Sequence, residues 1–159
     1  IKGWSLRAVT EFETNELITE YVGEITLEKS TGRAQQCDYD LSYKAEREDG
    51  SERPLNICAY KKGNESRYIS HACEPNAYFQ TTIVSRAGLC VNSGAILAKK
   101  TILRGEEITL DYFSGKGIFD EDMGDVTHMF PPSGCACGSP NCRFTKELLE
   151  EYKKKYHTI

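Results

Sequence analysis

Arg67-Tyr68-Ile69-Ser70-His71-Ala72-Cys73-Glu74-Pro75-Asn76 and, further along the chain, Gly105-Glu106-Glu107-Ile108-Thr109-Leu110-Asp111-Tyr112 are the stretches whose reading decides the fold. Each sets polar, chemistry-bearing side chains between short apolar positions. A third element, Cys135-Ala136-Cys137-Gly138-Ser139-Pro140-Asn141-Cys142, puts three thiols around a Gly-Ser-Pro-Asn turn that can fold the third back toward the first two. Such closeness suits tetrahedral zinc, which takes four thiolate or imidazole ligands at about 2.3 Å for sulfur. The fourth ligand must come from Cys37, Cys58, Cys73, Cys90, His71, His128 or His157, and spacing alone does not choose among them. His71, read by itself beside Cys73, is either a metal ligand or a satisfied core histidine.

The chain has 159 residues, 39% of them hydrophobic, enough for one compact domain with a single core. Its apolar runs fall far short of the ~20 residues that cross a bilayer, and no secretory signal precedes them, so a soluble protein with no membrane partner is expected. A net charge of −4 argues against binding a nucleic-acid backbone. The acidic groups Glu11, Glu13, Glu16 and Asp120-Glu121-Asp122 with Asp125 suit a basic peptide, although each run is also an ordinary solvated face. Seven cysteines are an odd number for a disulfide framework and point to a reducing compartment.

Strand-length segments at Leu17 to Val22, Tyr39 to Tyr43, Ala77 to Val84, Gly94 to Ala98 and Glu107 to Leu110, separated by turn residues, predict a β-rich body. Lys44 to Pro54 is highly charged, carries Gly50 and Pro54, and reads as an exposed loop. Helical signal is confined to Lys146 to Tyr156, with Leu148, Leu149 and Tyr152 on one face and Thr145 as N-cap.

In order and spacing, the three elements resemble the signature of SET-domain protein lysine methyltransferases with a post-SET zinc module. Lys2-Gly3-Trp4-Ser5 is similar to the family's opening Gly-x-Gly, with Ser5 in place of the second glycine, and Tyr21-Val22-Gly23-Glu24 follows as Tyr-x-Gly-Glu. Because the chain opens at Ile1 inside that element, it is expected to be a piece of a longer protein. The resemblance runs from Lys2 to about Phe144 and implies a mainly β fold, a β-rich α+β SET fold of several small sheets around a knot-like crossing. The expected division is a SET domain over 1–113, with an insert region at 38–62, and a post-SET segment with zinc site and C-terminal helix over 114–159.

The same resemblance implies the site. Zinc would be structural, held by Cys73 with Cys135, Cys137 and Cys142, and would dock the chain's tail as one wall of the substrate channel. Cys37, Cys58 and Cys90 are left as small core residues. S-adenosylmethionine would be bound by Lys2, Gly3, Trp4, Tyr39, Arg67, Tyr68, Ser70, His71 and Tyr112, with Ser70 where an asparagine is usual. Phe144 would either stack on adenine or cap the terminal helix. Tyr112 would be the catalytic tyrosine and Tyr39 a second one facing the lysine amine, with Tyr43 as its competitor. Leu110 stands where Phe or Tyr usually limits the number of methyl groups, so a product beyond monomethyl-lysine is expected.

Methyl transfer from a sulfonium needs a neutral amine, whereas free lysine has a pKa of ~10.4; a cationic neighbour and a dry channel favour loss of that proton. The protein then mainly supplies alignment. The implied substrate is a histone tail or another lysine-containing basic peptide added as a strand. Activating partner subunits and a nuclear, chromatin-bound location belong to the same expectation. The competing readings are a catalytically weak SET-like peptide- or partner-binding module, motivated by Ser5, Ser70 and Leu110, and a methyltransferase of a non-histone protein.

Overall fold

A computed structural model describes residues 3–26, 39–46, 50–86, 89–121 and 123–156. Lys2, Cys37 and His157 lie outside the described residues. Among the described residues, eight strands, β1 (Leu17–Tyr21), β2 (Glu24–Thr26), β3 (Asp40–Glu46), β4 (Glu52–Cys58), β5 (Ser70–His71), β6 (Ala77–Arg86), β7 (Leu89–Ala98) and β8 (Thr109–Leu110), are followed by one α-helix, α1 (Lys146–Tyr156). They form three small sheets in the orders β1-β7-β6, β2-β4-β3 and β5-β8. The mainly β body of several small sheets and the C-terminal helix are as expected from the sequence.

The long hairpin of β6 and β7 runs in unbroken antiparallel register from Ala77 opposite Ala98 to Arg86 opposite Leu89. Its inward positions Ala77, Ile96 and Ala98 have no exposed surface and join Ala8, Ile69, Ile102, Ile108 and Leu110 in the main core. Small residues there let large ones approach. At Gly94 a Cβ would stand 2.4 Å from the Phe79 ring, so a side chain would evict it.

The expectation of a loop over Lys44 to Pro54 is corrected. β3 and β4 extend into it, pairing Lys44 with Pro54, Ala45 with Arg53 and Glu46 with Glu52. High charge misled the reading, because a strand pairs through its backbone whatever its side chains carry. Pro54 is tolerated because β2 pairs only with the Asn56 to Cys58 end of β4; beyond it, among the described residues, β4 has one ladder side without a neighbour. Strand β7 also begins earlier than its apolar pattern suggested, at Leu89.

A second cluster holds the C-terminal segment. Ile118, Val126, Phe144 and Leu149 are buried together, with Phe113, Phe130, Leu148 and Tyr152 packed around them. Thr145 caps α1 as expected, its hydroxyl accepting the Leu148 N–H at 3.3 Å. The approach to the helix is tight at Gly134. Its φ of +84° suits glycine alone, and a Cβ there would lie 2.6 Å from the Lys146 nitrogen. No helix among the described residues is long and apolar enough to cross a membrane.

Candidate active site

Strands β5 and β8 are two residues long, yet they pair in parallel, Ser70 with Thr109 and His71 with Leu110. This brings the two deciding stretches side by side, the adjacency that a crossing of the two requires. Asn76 locks the pairing. Its amide nitrogen donates to Glu106 Oε1 at 3.0 Å and to the Glu107 carbonyl at 2.8 Å. Its amide oxygen accepts the Thr109 N–H at 2.8 Å and the Thr109 hydroxyl at 3.1 Å. Only 5% of Asn76 is exposed, so water has little room to replace these bonds.

Tyr112 follows β8 directly. Its hydroxyl donates to the Ile69 carbonyl and its backbone N–H donates to His71 Nδ1 at 3.3 Å. Although 46% of Tyr112 is exposed, its hydroxyl end is turned inward. Burial, with a smaller contribution from the nearby Tyr39 phenol, pushes its pKa up to about 12. Two tyrosines that are distant in sequence therefore lie within electrostatic reach, and Tyr112 stays a neutral phenol at any ordinary pH. The carboxylate before it organises the turn: Asp111 accepts the Phe113 N–H at 3.0 Å and the Gly115 N–H at 2.7 Å.

His71 sits within 6 Å, ring to ring, of Tyr112, Phe113, Phe130 and Phe144, the longest separation being 5.9 Å to Phe130. Burial lowers its pKa to about 4, against the opposing pull of Asp111. The ring is thus neutral. Its Nδ1 accepts from Tyr112, which leaves the proton on Nε2, 3.5 Å from Cys73 Sγ.

Around Cys73 the sulfurs of Cys135, Cys137 and Cys142 gather, all four within 4.8 Å of one another and none in a disulfide. Cys73 and Cys142 sulfurs are 3.9 Å apart. Four thiolates placed tetrahedrally at about 2.3 Å from zinc stand about 3.8 Å apart, so the set fits that ion. The electrostatics fit as well. Burial pushes the Cys135 thiol up and carries Cys142 to about 11; at Cys137, burial is outweighed by backbone donors and neighbouring thiols, bringing it to about 7. Four thiolates cannot coexist here without a cation, which a divalent metal supplies. Glu74 clasps the turn between the last two thiols, accepting from the Ser139 hydroxyl at 2.6 Å and from Asn141 Nδ2 at 2.7 Å.

The other expected residues are placed as follows. Gly3 has nothing within 4 Å of where a Cβ would be, and Trp4 beside it is 86% exposed. Ser70 is half-buried, in β5. Arg67 reaches the Ala59 and Tyr60 carbonyls at 3.3 and 3.4 Å and donates to the Tyr68 hydroxyl at 2.7 Å, so its guanidinium fastens a loop and orients Tyr68. Leu110 is 7% exposed and packs in the main core. Phe144 requires a correction to the adenine-stacking alternative. It has no exposed surface, its ring stacks on Phe130 at 4.7 Å and 20°, and Phe113 packs at 4.7 Å. No ring face is left for a purine. Cys58 lies outside the thiol cluster, in β4, and is half-buried rather than the core residue expected.

Sequence reading passed over Arg143, which donates through Nη1 to the Lys116 carbonyl at 2.8 Å and through Nη2 to Asp111 Oδ2 at 2.7 Å. The one available signal was a lone charge between Cys142 and Phe144 in an otherwise small and apolar neighbourhood. Phe130 carried no signal at all.

Comparison with known proteins follows the same lines. The model of the SET domain family matches residues 3–113. The chain is 30% identical over 153 residues to Histone-lysine N-methyltransferase SUV39H2 of Xenopus tropicalis, covering 89% of this chain and 36% of that protein. It is 31% identical over 143 residues to Histone-lysine N-methyltransferase trr of Drosophila melanogaster, covering 90% of this chain and 5% of that one. It is 32% identical over 141 residues to Histone-lysine N-methyltransferase, H3 lysine-36 specific, of Cryptococcus neoformans, covering 89% of this chain and 15% of the relative. The chain thus spans little more than a third of these relatives at most. Since the family match takes in more than half of the chain and ends just past Tyr112, the chain belongs to the SET domain family.

Proposed function

We propose that the protein is a lysine N-methyltransferase that moves a methyl group from S-adenosylmethionine to a lysine ε-amine, on a histone tail at chromatin in the nucleus. The observation that carries the reading is Tyr112, its phenol held by the Ile69 carbonyl within electrostatic reach of Tyr39. When bound, S-adenosylmethionine supplies a methyl group on a positively charged sulfonium. The Tyr112 hydroxyl donates a hydrogen bond to the Ile69 carbonyl and so keeps oxygen lone pairs for methyl C–H and amine N–H groups. With a pKa near 12 it is no general base, so the lysine proton leaves to solvent before transfer. Alignment is the main contribution, and a well-oriented encounter lowers a barrier by about 7–11 kcal/mol. Tyr39 is the second acceptor facing the amine.

For the cofactor, the open space at Gly3 and the exposed Trp4 ring suit close approach of a ligand, with Lys2 before them. Tyr68, oriented by Arg67, then Ser70 and His71 complete the pocket. Zinc on Cys73, Cys135, Cys137 and Cys142 holds 114–159 as the post-SET segment against the 1–113 SET domain. A basic peptide adds as a strand between the insert region and this wall. Partner subunits would raise activity by ordering that wall.

The test is calorimetric binding of S-adenosylmethionine together with methyl transfer to mixed core histones, for the chain and for Tyr112→Phe. Binding with transfer that falls at least 100-fold in the variant supports the enzyme. Folded, zinc-loaded protein that binds no cofactor overturns it in favour of a peptide-binding module.

A further inference from the structure

Arg143 connects two parts of the molecule that the proposed mechanism treats separately. Its backbone N–H donates to Cys73 Sγ at 3.3 Å, and Nη2 lies 3.5 Å from the Cys73 carbonyl. Through the same guanidinium it pairs with Asp111 at 2.7 Å and holds the Lys116 carbonyl at 2.8 Å. Both charges are largely withdrawn from water, with 19% of the arginine side chain and 18% of the aspartate side chain exposed. Asp111, for its part, accepts the Phe113 and Gly115 N–H groups that shape the turn carrying Tyr112.

We propose that Arg143 is the positioning residue for Tyr112: the Cys142-Arg143 step transmits the closure of the four-thiol cluster, through the ion pair with Asp111, to the Tyr112 hydroxyl. The proposal rests on the methyltransferase reading for its kinetic consequence, but not for its structural one. Without the guanidinium, the half-buried Asp111 carboxylate loses its counter-charge and turns toward water, and the 111–115 turn follows it. Lysine is a partial substitute. A point charge can serve one of the acceptors, whereas the planar fork serves Asp111 and the Lys116 carbonyl at once.

The experiment compares the zinc-loaded chain with R143Q, R143K and R143Q/Y112F. It reads kcat, KM, S-adenosylmethionine affinity by calorimetry, zinc content, and amide hydrogen exchange across residues 111–116. A displacement of about 1 Å costs about 100-fold in rate, so R143Q is expected to lose about that much in kcat. Its zinc content and cofactor affinity should hold, and faster exchange should be confined to 111–116. R143K should recover part of the rate, and Y112F should add little once Arg143 is gone. Unchanged kcat in R143Q overturns the proposal, as does a loss that merely parallels loss of zinc or of protection throughout the chain. If the parent chain transfers no methyl group, the methyltransferase reading has failed. The exchange arm then decides: faster exchange at 111–116 in R143Q upholds the positioning role, and unchanged exchange refutes it.

Discussion

Replacing Asn76 by alanine is the perturbation with the most definite expected cost. The variant deletes four hydrogen bonds inside a site where the residue is 5% exposed. An ordinary bond is worth about 1 kcal/mol net, and a buried backbone group deprived of its partner costs about 1–3 kcal/mol. The Thr109 N–H and the Glu107 carbonyl each lose their Asn76 partner; at about 1.5 kcal/mol apiece, with about 0.5 kcal/mol for each of the other two bonds, the loss comes to about 4 kcal/mol. In a domain of this size that is a fall in Tm of about 8–16 °C. Urea denaturation followed by circular dichroism measures it, with an unchanged m-value as the check that only stability moved. The acid limb supplies a second readout. The hydrogen bond from Asn76, then the Leu103 N–H, hold the Glu106 carboxyl below the usual carboxylate range. A carboxylate depressed in this way stabilises the fold above its unfolded pKa and loses that contribution as pH falls through its folded value. Asn76→Ala should therefore lose stability less steeply on acidification than the parent. A destabilisation below about 1 kcal/mol would refute the reasoning, because it would mean that water replaces the amide at little cost.

Removing metal with a chelator should loosen the Cys135 to Phe144 segment, so trypsin should cut after Arg143 and Lys146 faster; unchanged cleavage would argue that the apolar cluster holds the segment unaided. The Tyr112 phenol, displaced from 10.0 to about 12, contributes stability that is complete below pH 10 and disappears toward pH 12, and Tyr112→Phe should abolish that alkaline loss in a pH-melting series. Because Tyr112 does not ionise below that range, the rise of kcat/KM between pH 7 and 9 should keep its shape in Tyr112→Phe while its height falls; a flattened profile would return the general-base role to Tyr112. Leu110 packs in the main core at 7% exposure. The product-control role that the family resemblance implies for it predicts products beyond monomethyl-lysine by mass spectrometry at saturating cofactor and a shift toward the mono form in Leu110→Tyr, whereas a loss of stability with unchanged products would leave it a core residue only.

What could be read from the chain followed the physics of each feature. Cys-x-Cys-x4-Cys is local, and a turn-rich segment with three thiols has few other uses, so the cluster is legible in the residues themselves. The helix was equally plain, with its Thr145 cap and apolar face. Segment 44–54 failed because side-chain charge says little about a hairpin whose pairing lies in its backbone. Arg143 was hidden for a different reason. Its partners, Asp111 and the Lys116 carbonyl, are neighbours only after the chain folds, and no periodicity encodes an ion pair between distant loops. Phe144 shows the limit of inference from position: a residue next to a metal ligand can face a ligand or the core, and burial among His71, Phe113 and Phe130 decides for the core.

Cys73 is the residue at which fold and site become one question. It belongs to the stretch that pairs with β8, and it stands 69 residues before Cys142 while its sulfur lies 3.9 Å from that of Cys142. Closing a loop of that length costs about 4 kcal/mol in chain entropy, whereas a structural zinc site of four ligands releases about 10–16 kcal/mol at pH 7. Metal binding can therefore close the loop with several kcal/mol in hand. That surplus would help to hold Phe144 and Ile118 in their cluster and Arg143 against Asp111. Apolar contacts add to this, since the four buried side chains Ile118, Val126, Phe144 and Leu149 at about 1.5–3 kcal/mol each are of comparable size, so metal and cluster would hold the tail together. On these magnitudes the four thiols do more than fasten a terminus. With metal bound they would also set how firmly the turn carrying Tyr112 is held, and the alignment proposed for Tyr112 would depend on that firmness.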